Sequence, residues 1–382
     1  MQDIFETQRK CLRLMGHTLE NEKSPLLRKW NSFIYYGSLL LVLSAQWPMI
    51  NYVVYNIDDL TLATASLSIV LTNMLTVIKM ITFLMYKQRF MELMEQFGEM
   101  FNAAHVSEVK RGLTVANKIA MKLVKLYYFS VSSTGLYFMI GPLVKIIWSK
   151  INHKTIIRDL PMPMRFNFDF VSTPGYEFGY VYTGFVTMTV VMYASAIDGL
   201  FLSFTINLRS HFQALQFFIQ TNKFRRSDKA AQYDISKYID YHVLLLDLSN
   251  KVRQIYKPIV FGQFLLTSVQ VCVIIYQLVT HLDTLLVLVV YCTFLAAILL
   301  QLFIYCYGGE ILKVESSMVG VSVQLSNWYL LTPKTRRMLL LVMLRSQREV
   351  VIKAGFYEAS LANFMVILRA AMSLITLIQS ID

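Results

Sequence analysis

The 382-residue chain is poor in the features that mark secreted, metal-binding and catalytic proteins. Its four cysteines make no disulfide framework. Cys11 lies in a charged N-terminal stretch, and Cys272, Cys292 and Cys306 fall inside long apolar runs. No Asn-x-Ser/Thr sequence occurs, so no loop asks for a glycan and a small external surface is expected. The histidines His17, His105, His153, His211, His242 and His281 stand at no metal-ligand spacing to one another. A phosphate-cradling glycine loop and a Gly-x-Ser-x-Gly elbow are both missing. The residues thus offer no catalytic constellation, no metal centre and no cofactor site, and a non-enzyme is expected. Met1–Trp30 is polar and charged and lacks the apolar core of a signal peptide, so insertion is expected to begin with the first apolar span.

Negative charge is scarce too, with 24 acidic against 36 basic residues and a net charge of +12. Such an excess invites a nucleic-acid reading, but its distribution opposes one. Lys and Arg gather at the flanks of apolar runs, where anionic lipid headgroups attract them. Membrane lipid is therefore an expected partner and nucleic acid is not.

What the chain does have is apolar length: 55% of residues are hydrophobic. Seven runs near 33–54, 62–85, 124–148, 179–206, 259–280, 284–307 and 356–379 each approach the ~20 residues that a bilayer core requires. Segments 1–32, 86–125, 208–257 and 313–353 hold 6, 7, 9 and 7 Lys/Arg, whereas 55–61 and 279–284 hold none and 149–178 holds 4. By the positive-inside bias the first group is cytoplasmic. The expected fold is an all-α polytopic membrane protein with seven transmembrane helices, the N-terminus cytoplasmic and the C-terminus extracellular. That orientation is the reverse of a G-protein-coupled receptor.

The same counting divides the chain. A cytoplasmic N-terminal segment (1–32) precedes helices 1–4 (33–206), which include an external connection at 149–178. Cytoplasmic anchor helices (207–258) follow, then helices 5–6 (259–307), a second anchor segment (308–355) and a final helix (356–382). Phe90, Leu93, Met94, Phe97, Met100 and Phe101 recur at helical spacing, as do Ile235, Ile239, Leu245, Leu248 and Val252. Their polar faces mix both signs of charge. This favours helices 4–6 continuing into a packed cytoplasmic layer over helices lying on the membrane surface.

The external connection carries Pro161, Pro163 and Pro174 among Met162, Met164, Phe166, Phe168, Phe170 and Tyr176. The prolines exclude a regular helix. The aromatics suit either a lid over the bundle or interfacial anchors. Asp198 and Glu310 lie near cytoplasmic helix ends and are expected to pair with nearby basic residues. Lys79 and Lys145 are expected to snorkel. Arg369, midway along the last span, should face protein, a carboxylate or water, because an unpaired charge there is expensive. That span also carries Asn363, Ala370, Ser373, Leu377 and Ser380 along one side. The stripe fits a helix-packing seam or the wall of an aqueous path.

The run Gln301-Leu302-Phe303-Ile304-Tyr305-Cys306-Tyr307-Gly308-Gly309-Glu310, with Glu315-Ser316 and Trp328-Tyr329, resembles the sixth-helix signature of insect odorant receptors. The tract Arg345-Ser346-Gln347, Ala354-Gly355 and Phe364-x-x-Ile367-Leu368-Arg369-Ala370-Ala371-x-Ser373 is similar to that family's C-terminal signature. Lys79 and Ile197-Asp198 fit as well. Leu374 departs from the pattern, standing where many members carry Tyr. The resemblance implies an odorant-gated, non-selective cation channel in the plasma membrane of olfactory sensory neurons. It further implies a heterotetramer with a co-receptor, small volatile odorants as ligands and permeating cations. The short turn at 221–230 is similar to an odorant-binding subunit and unlike the co-receptor, which carries a large insertion there.

By the same resemblance the pore lies along the last helix, with Ser373, Leu377, Ser380 and Ile381 at the pore and gate. The ligand site lies between the outer halves of spans 2, 3, 4 and 6. This chain supplies Leu71, Thr72 and Leu75; Ser132, Gly135, Tyr137 and Met139; Tyr180, Gly184 and Met188; and Tyr291 and Phe294. Small residues open room there, and aromatics and Met supply polarizable walls. Two other classes compete. A metabotropic seven-helix chemoreceptor needs an external N-terminus, and a small-molecule transporter calls for internal repeats and broken helices.

The loop charges make the orientation testable. An epitope placed after Asp382 should be labelled on intact cells, and one placed before Met1 only after permeabilisation. The opposite pattern would overturn the orientation.

Overall fold

The computed structural model describes residues 4–17, 25–151, 158–166, 172–221, 229–280 and 285–381. Its long helices are α2 (Pro25–Tyr55), α3 (Leu60–Ala103), α4 (Ser107–Ile151), α5 (Gly175–Thr221), α6 (Lys229–Thr280) and α7 (Leu285–Leu325). A short α1 (Glu6–Leu14) precedes them. After α7 come α8 (Pro333–Ser346), a two-stranded hairpin of β1 (Lys353–Ala354) and β2 (Tyr357–Glu358), and α9 (Leu361–Ile381). Six of the described helices are long and apolar enough to cross a membrane. The seventh span corresponds to α9, 21 residues long.

Helices α3 to α7 run 44, 45, 47, 52 and 41 residues, about twice what a bilayer core needs. Spans 4–6 therefore continue unbroken into a second layer, as their amphipathic sequence implied. Spans 2 and 3 do so as well, in addition to the three expected. Tyr86 (φ −114°, ψ 18°) marks a kink where the span ends, after which α3 resumes. Phe90, Leu93, Met94, Phe97 and Phe101 are all buried in that layer, as are Ile235, Leu245, Leu248 and Val252. A surface-lying helix would leave its other face against water rather than bury this stripe in protein.

Helix α5 is the centre. Every residue from Tyr193 to Leu208 is buried, so this stretch is enclosed on all sides. Its neighbours α1, α2, α3, α4, α6 and α7 all pack on it. Close approach is set by small residues. A Cβ at Gly308 of α7 would lie 2.6 Å from the Phe201 ring, and one at Gly309 would lie 2.0 Å from the Ala359 carbonyl oxygen. The glycine pair thus lets α7 press against α5 on one side and against the start of the last helix on the other.

Helix α1 docks beneath the bundle through Gln8, whose amide donates to the Gly199 carbonyl (3.1 Å) and the Ser203 hydroxyl (2.7 Å). His17 follows, 2.8 Å from the Tyr193 hydroxyl and packed on Tyr35 and Phe83. Burial, with Lys87 second, holds the imidazole neutral, its pKa pushed down to about 3.

The hairpin was not legible as strands. Gly355 at φ 62° makes its turn, a conformation that favours glycine. Among the described residues Glu310 makes no ion-pair contact of the kind the sequence suggested. Its carboxylate accepts the Leu361 backbone N–H (3.1 Å) and so caps the first turn of α9.

Helix α9 lays Phe364, Ile367 and Ala371 against its own chain. Met365, Val366, Arg369, Ala370, Met372 and Ser373 are exposed. Arg369 therefore does not face protein within the subunit.

Candidate functional site

Four helices, with Met162 of the external connection, line a cavity of about 100 Å³. Its wall is built at helical spacing. Ile69, Thr72, Asn73 and Thr76 come from α3; Tyr127, Val131, Thr134, Gly135 and Phe138 come from α4. Thr187, Val190, Val191 and Ala194 come from α5, and Phe294, Ala297, Ile298 and Gln301 from α7. Each set repeats every three or four residues, so one face of each helix looks inward.

Met162 of the external connection also reaches the cavity, and Met162 and Met164 are both buried. That segment is held by the Arg165 N–H on the Pro48 carbonyl (2.9 Å) and by the Arg165 guanidinium 3.3 Å over the Tyr55 ring. Phe166 packs on Tyr182. The described part of the connection, 158–166, thus packs Met162, Met164 and Phe166 onto the bundle. Phe168 and Phe170 lie outside the described residues.

Of the ligand-site residues expected from sequence, Thr72, Leu75, Gly135 and Phe294 line this cavity. The others sit around it. Tyr180 donates its hydroxyl to the Met139 carbonyl, and a Cβ at Gly184 would touch the Met139 side chain, so these three lock α4 to α5 outside the cavity. Leu71 is buried away from the wall, and Tyr291 is half-buried in a cluster with Val271, Ile274 and Phe294. Ser132 is half-buried and off the wall, while Tyr137 and Met188 face outward, 40% and 50% exposed. On α4, α5 and α7 the cavity reaches deeper than the residues chosen from sequence, because the Tyr180–Met139 contact occupies the outer space. Of the pore residues, Ser373 is exposed, and the side chains of Leu377, Ser380 and Ile381 are outside the described ones.

The inner end of the cavity rests on a buried charge cluster that the sequence reading missed as a unit. Asp198 is fully buried on α5. Its Oδ2 accepts Lys79 Nζ (2.7 Å), the Tyr127 hydroxyl (2.6 Å) and Gln301 Nε2 (2.7 Å). Its Oδ1 accepts the Tyr305 hydroxyl at 2.5 Å. Lys79 is 1% exposed and does not snorkel; its ammonium also lies 5.9 Å from the Tyr305 ring. Four donors thus meet the carboxylate, three at Oδ2 and one at Oδ1. The cluster joins α3, α4, α5 and α7 at one point.

A second polar line runs along α6. Gln263, Gln270 and Gln277, each buried, recur at a seven-residue interval. Gln263 donates to Gln301 Oε1 (3.3 Å), Gln270 to the Ser68 carbonyl (2.9 Å) and Gln277 to the Thr61 carbonyl (2.6 Å). Glutamines at heptad spacing in an apolar helix were the available signal for this contact.

Elsewhere on the wall the hydroxyls are committed. Thr72, Thr76, Thr134 and Thr187 each donate to a carbonyl of their own helix. Their methyl groups and the ring of Phe138, set edge-on to Phe294 with centroids 5.6 Å apart, make the surface largely apolar. Asn73 is the exception. Its Nδ2 meets only the Met49 sulfur (3.2 Å), and its Oδ1 has no partner among the described residues.

Together these features define a helical membrane protein with a small, mostly apolar cavity beside a buried ion pair. The sequence matches the family model described as 7tm Odorant receptor over residues 59–372, and the chain belongs to that family. It is similar to Odorant receptor 82a of Drosophila melanogaster, with 50% identity over 99% of both chains. Odorant receptor 47a of the same insect is 27% identical over the full length of both. The fold is also that of the insect olfactory receptor OR5 from Machilis hrabei, solved in complex with eugenol. The TM-score is 0.82 over 99% of this chain and 98% of that one, at 15% identity.

The ion pair makes a stability prediction. Removing one partner of a buried pair costs about 3–5 kcal/mol, because the other charge is left unmatched. Lys79→Met should sharply lower the thermal stability of the detergent-solubilised protein, and Lys79→Met with Asp198→Asn should recover part of the loss. A double variant as unstable as the sum of the two singles would show that Lys79 and Asp198 are not coupled.

Proposed function

We propose that the chain is the odorant-binding subunit of an odorant-gated, non-selective cation channel, completed by a co-receptor subunit in a heterotetramer. The observation that carries the reading is the apolar cavity between α3, α4, α5 and α7, with Met162 of the external connection in its wall and Tyr127 and Gln301 at its inner end. Its volume is on the scale of an engineered apolar cavity of ~150 Å³ that admits benzene. A larger volatile must displace Met162, whose unbranched side chain yields readily. Asn73 keeps hydrogen-bonding capacity for one polar group of the occupant. The complex of the Machilis receptor with eugenol supports a small organic ligand for this fold.

Two surfaces support assembly. In the second layer Tyr233, Val243, Leu244, Leu341 and Leu344 are exposed although no lipid reaches them, as expected of faces that meet other subunits. In the membrane, α9 exposes Arg369 together with Ala370 and Ser373. A cation at that depth requires water or a partner, and a central pore lined by four such helices supplies both. An apolar ring at Leu377 would close it by dewetting. With the loop charges, the proposed setting is the plasma membrane of olfactory sensory neurons, N-terminus inside.

The metabotropic alternative conflicts with that orientation. The transporter alternative predicts saturable uptake without unitary current.

The test is current through excised patches holding this chain and a co-receptor, without nucleotides, upon odorant addition. Ligand-evoked current supports the channel, and uptake without it would refute it. The cavity is tested in the same patches by Ala297→Leu, which adds three carbons to the α7 wall. Overfilling a packed site costs about 1–3 kcal/mol, a roughly ten- to hundredfold rightward shift. The shift should grow with ligand size while co-receptor agonists act normally. A flat size profile would place the ligand elsewhere. Gly135 is a poorer site for this test, because a Cβ there would meet Val191 at 2.8 Å and force α4 from α5.

A further inference from the structure

Two residues belong at once to the cavity wall and to the buried ion pair. Tyr127 and Gln301 line the cavity, and both donate to Asp198 Oδ2. Tyr305 is different: it bonds the other oxygen of the same carboxylate, is fully buried, and does not line the cavity. Gln301 and Tyr305 stand one turn apart on α7. Over the next turn Gly308 presses on Phe201 and Gly309 on the Ala359 carbonyl, with no room for even a methyl group. Glu310 then holds the Leu361 N–H, the first backbone group of α9. A hydrogen-bonded helix segment of ten residues, 301–310, therefore joins the floor of the cavity to the entry of α9. An occupant that moves the Tyr127 ring or the Gln301 amide works against their bonds to Asp198, and α7 has no slack in which to absorb the displacement.

We propose that Tyr305 is a positioning residue for the ligand response: its bond to Asp198 holds α7 in its resting register on α5, and occupancy opposes that hold through Tyr127 and Gln301. This rests on reading the cavity as the odorant site and α9 as the pore wall. A ligand can shift an equilibrium only by its differential affinity for the two states. Loosening the resting register without touching the ligand moves every dose response by one factor and leaves the order of ligands alone.

The experiment compares Tyr305→Phe with Tyr256→Phe in co-receptor-containing channels at matched surface level. Tyr256 is an internal control for lost packing and hydrogen bonding. It is equally buried, packs on the same Phe201 ring, and donates to the Ile197 carbonyl (2.9 Å) rather than to Asp198. Tyr305→Phe should raise the odorant-free current and shift all odorant dose responses leftward by a common factor of roughly ten. Tyr256→Phe should do neither. If Tyr305→Phe does not reach the membrane, Tyr127→Phe reads the same hold from the cavity side and should also raise the odorant-free current.

Equal effects of Tyr305→Phe and Tyr256→Phe would overturn the proposal in favour of general packing. A changed ligand order with unchanged basal current would overturn it in favour of direct ligand contact. Unchanged basal current in both Tyr305→Phe and Tyr127→Phe would also overturn it. Basal current is read without odorant, so a misplaced cavity would leave it intact and show instead as the flat size profile of Ala297→Leu.

Discussion

A carboxylate and an ammonium buried together between membrane helices constrain everything around them. Asp198 and Lys79 lie 2.7 Å apart with essentially no exposure, where separated charges would be prohibitive. The remaining capacity of the carboxylate has to be satisfied locally, and Tyr127, Gln301 and Tyr305 do so from α4 and α7. These bonds fix the rotation and depth of four helices around one point. The cavity lies beside that point, with Tyr127 and Gln301 in its wall.

The helices gain the rest of their order from length. Because α3 to α7 run far past the membrane, the second layer packs aromatic and aliphatic side chains such as Phe97, Phe212, Leu248 and Val252 at full burial. That layer is a soluble-type core driven by water exclusion. The membrane part cannot rely on the same force and uses small residues and buried amides instead. Gly308 and Gly309 serve close packing, and Gln263, Gln270 and Gln277 serve polar contact. The lower half is thereby densely packed, and the cavity lies in the outer half beside the buried Met162.

The sequence made the spans, their alternating loop charges and the amphipathic extensions legible, because each is a local periodicity. The stripe Phe90–Leu93–Met94–Phe97–Phe101 and the breadth of α5 to α7 follow directly from it. The lining of the cavity was legible only in part. Thr72, Leu75, Gly135 and Phe294 face the cavity, but depth along a helix is set by which side chains from other helices fill the outer space. Tyr180 on Met139 is a contact between residues 41 apart in sequence, and periodicity carries no trace of it. Lys79 illustrates the same limit. Near a helix end a lysine reads as a snorkelling cation, and only the position of Asp198, 119 residues on, makes it a buried one.

The proposed ligand position is the cavity beside the Asp198 cluster, within reach of Phe138, Phe294 and Met162. The most direct test is a cryo-EM map of the assembled channel with a bound volatile agonist, compared with the unliganded map. The account predicts new density in the cavity between α3, α4, α5 and α7, with the Tyr127 ring or the Gln301 amide displaced from its unliganded position. An empty cavity with agonist density at another site would contradict it, as would a filled cavity with the Tyr127, Gln301 and Asp198 contacts unchanged in an open pore.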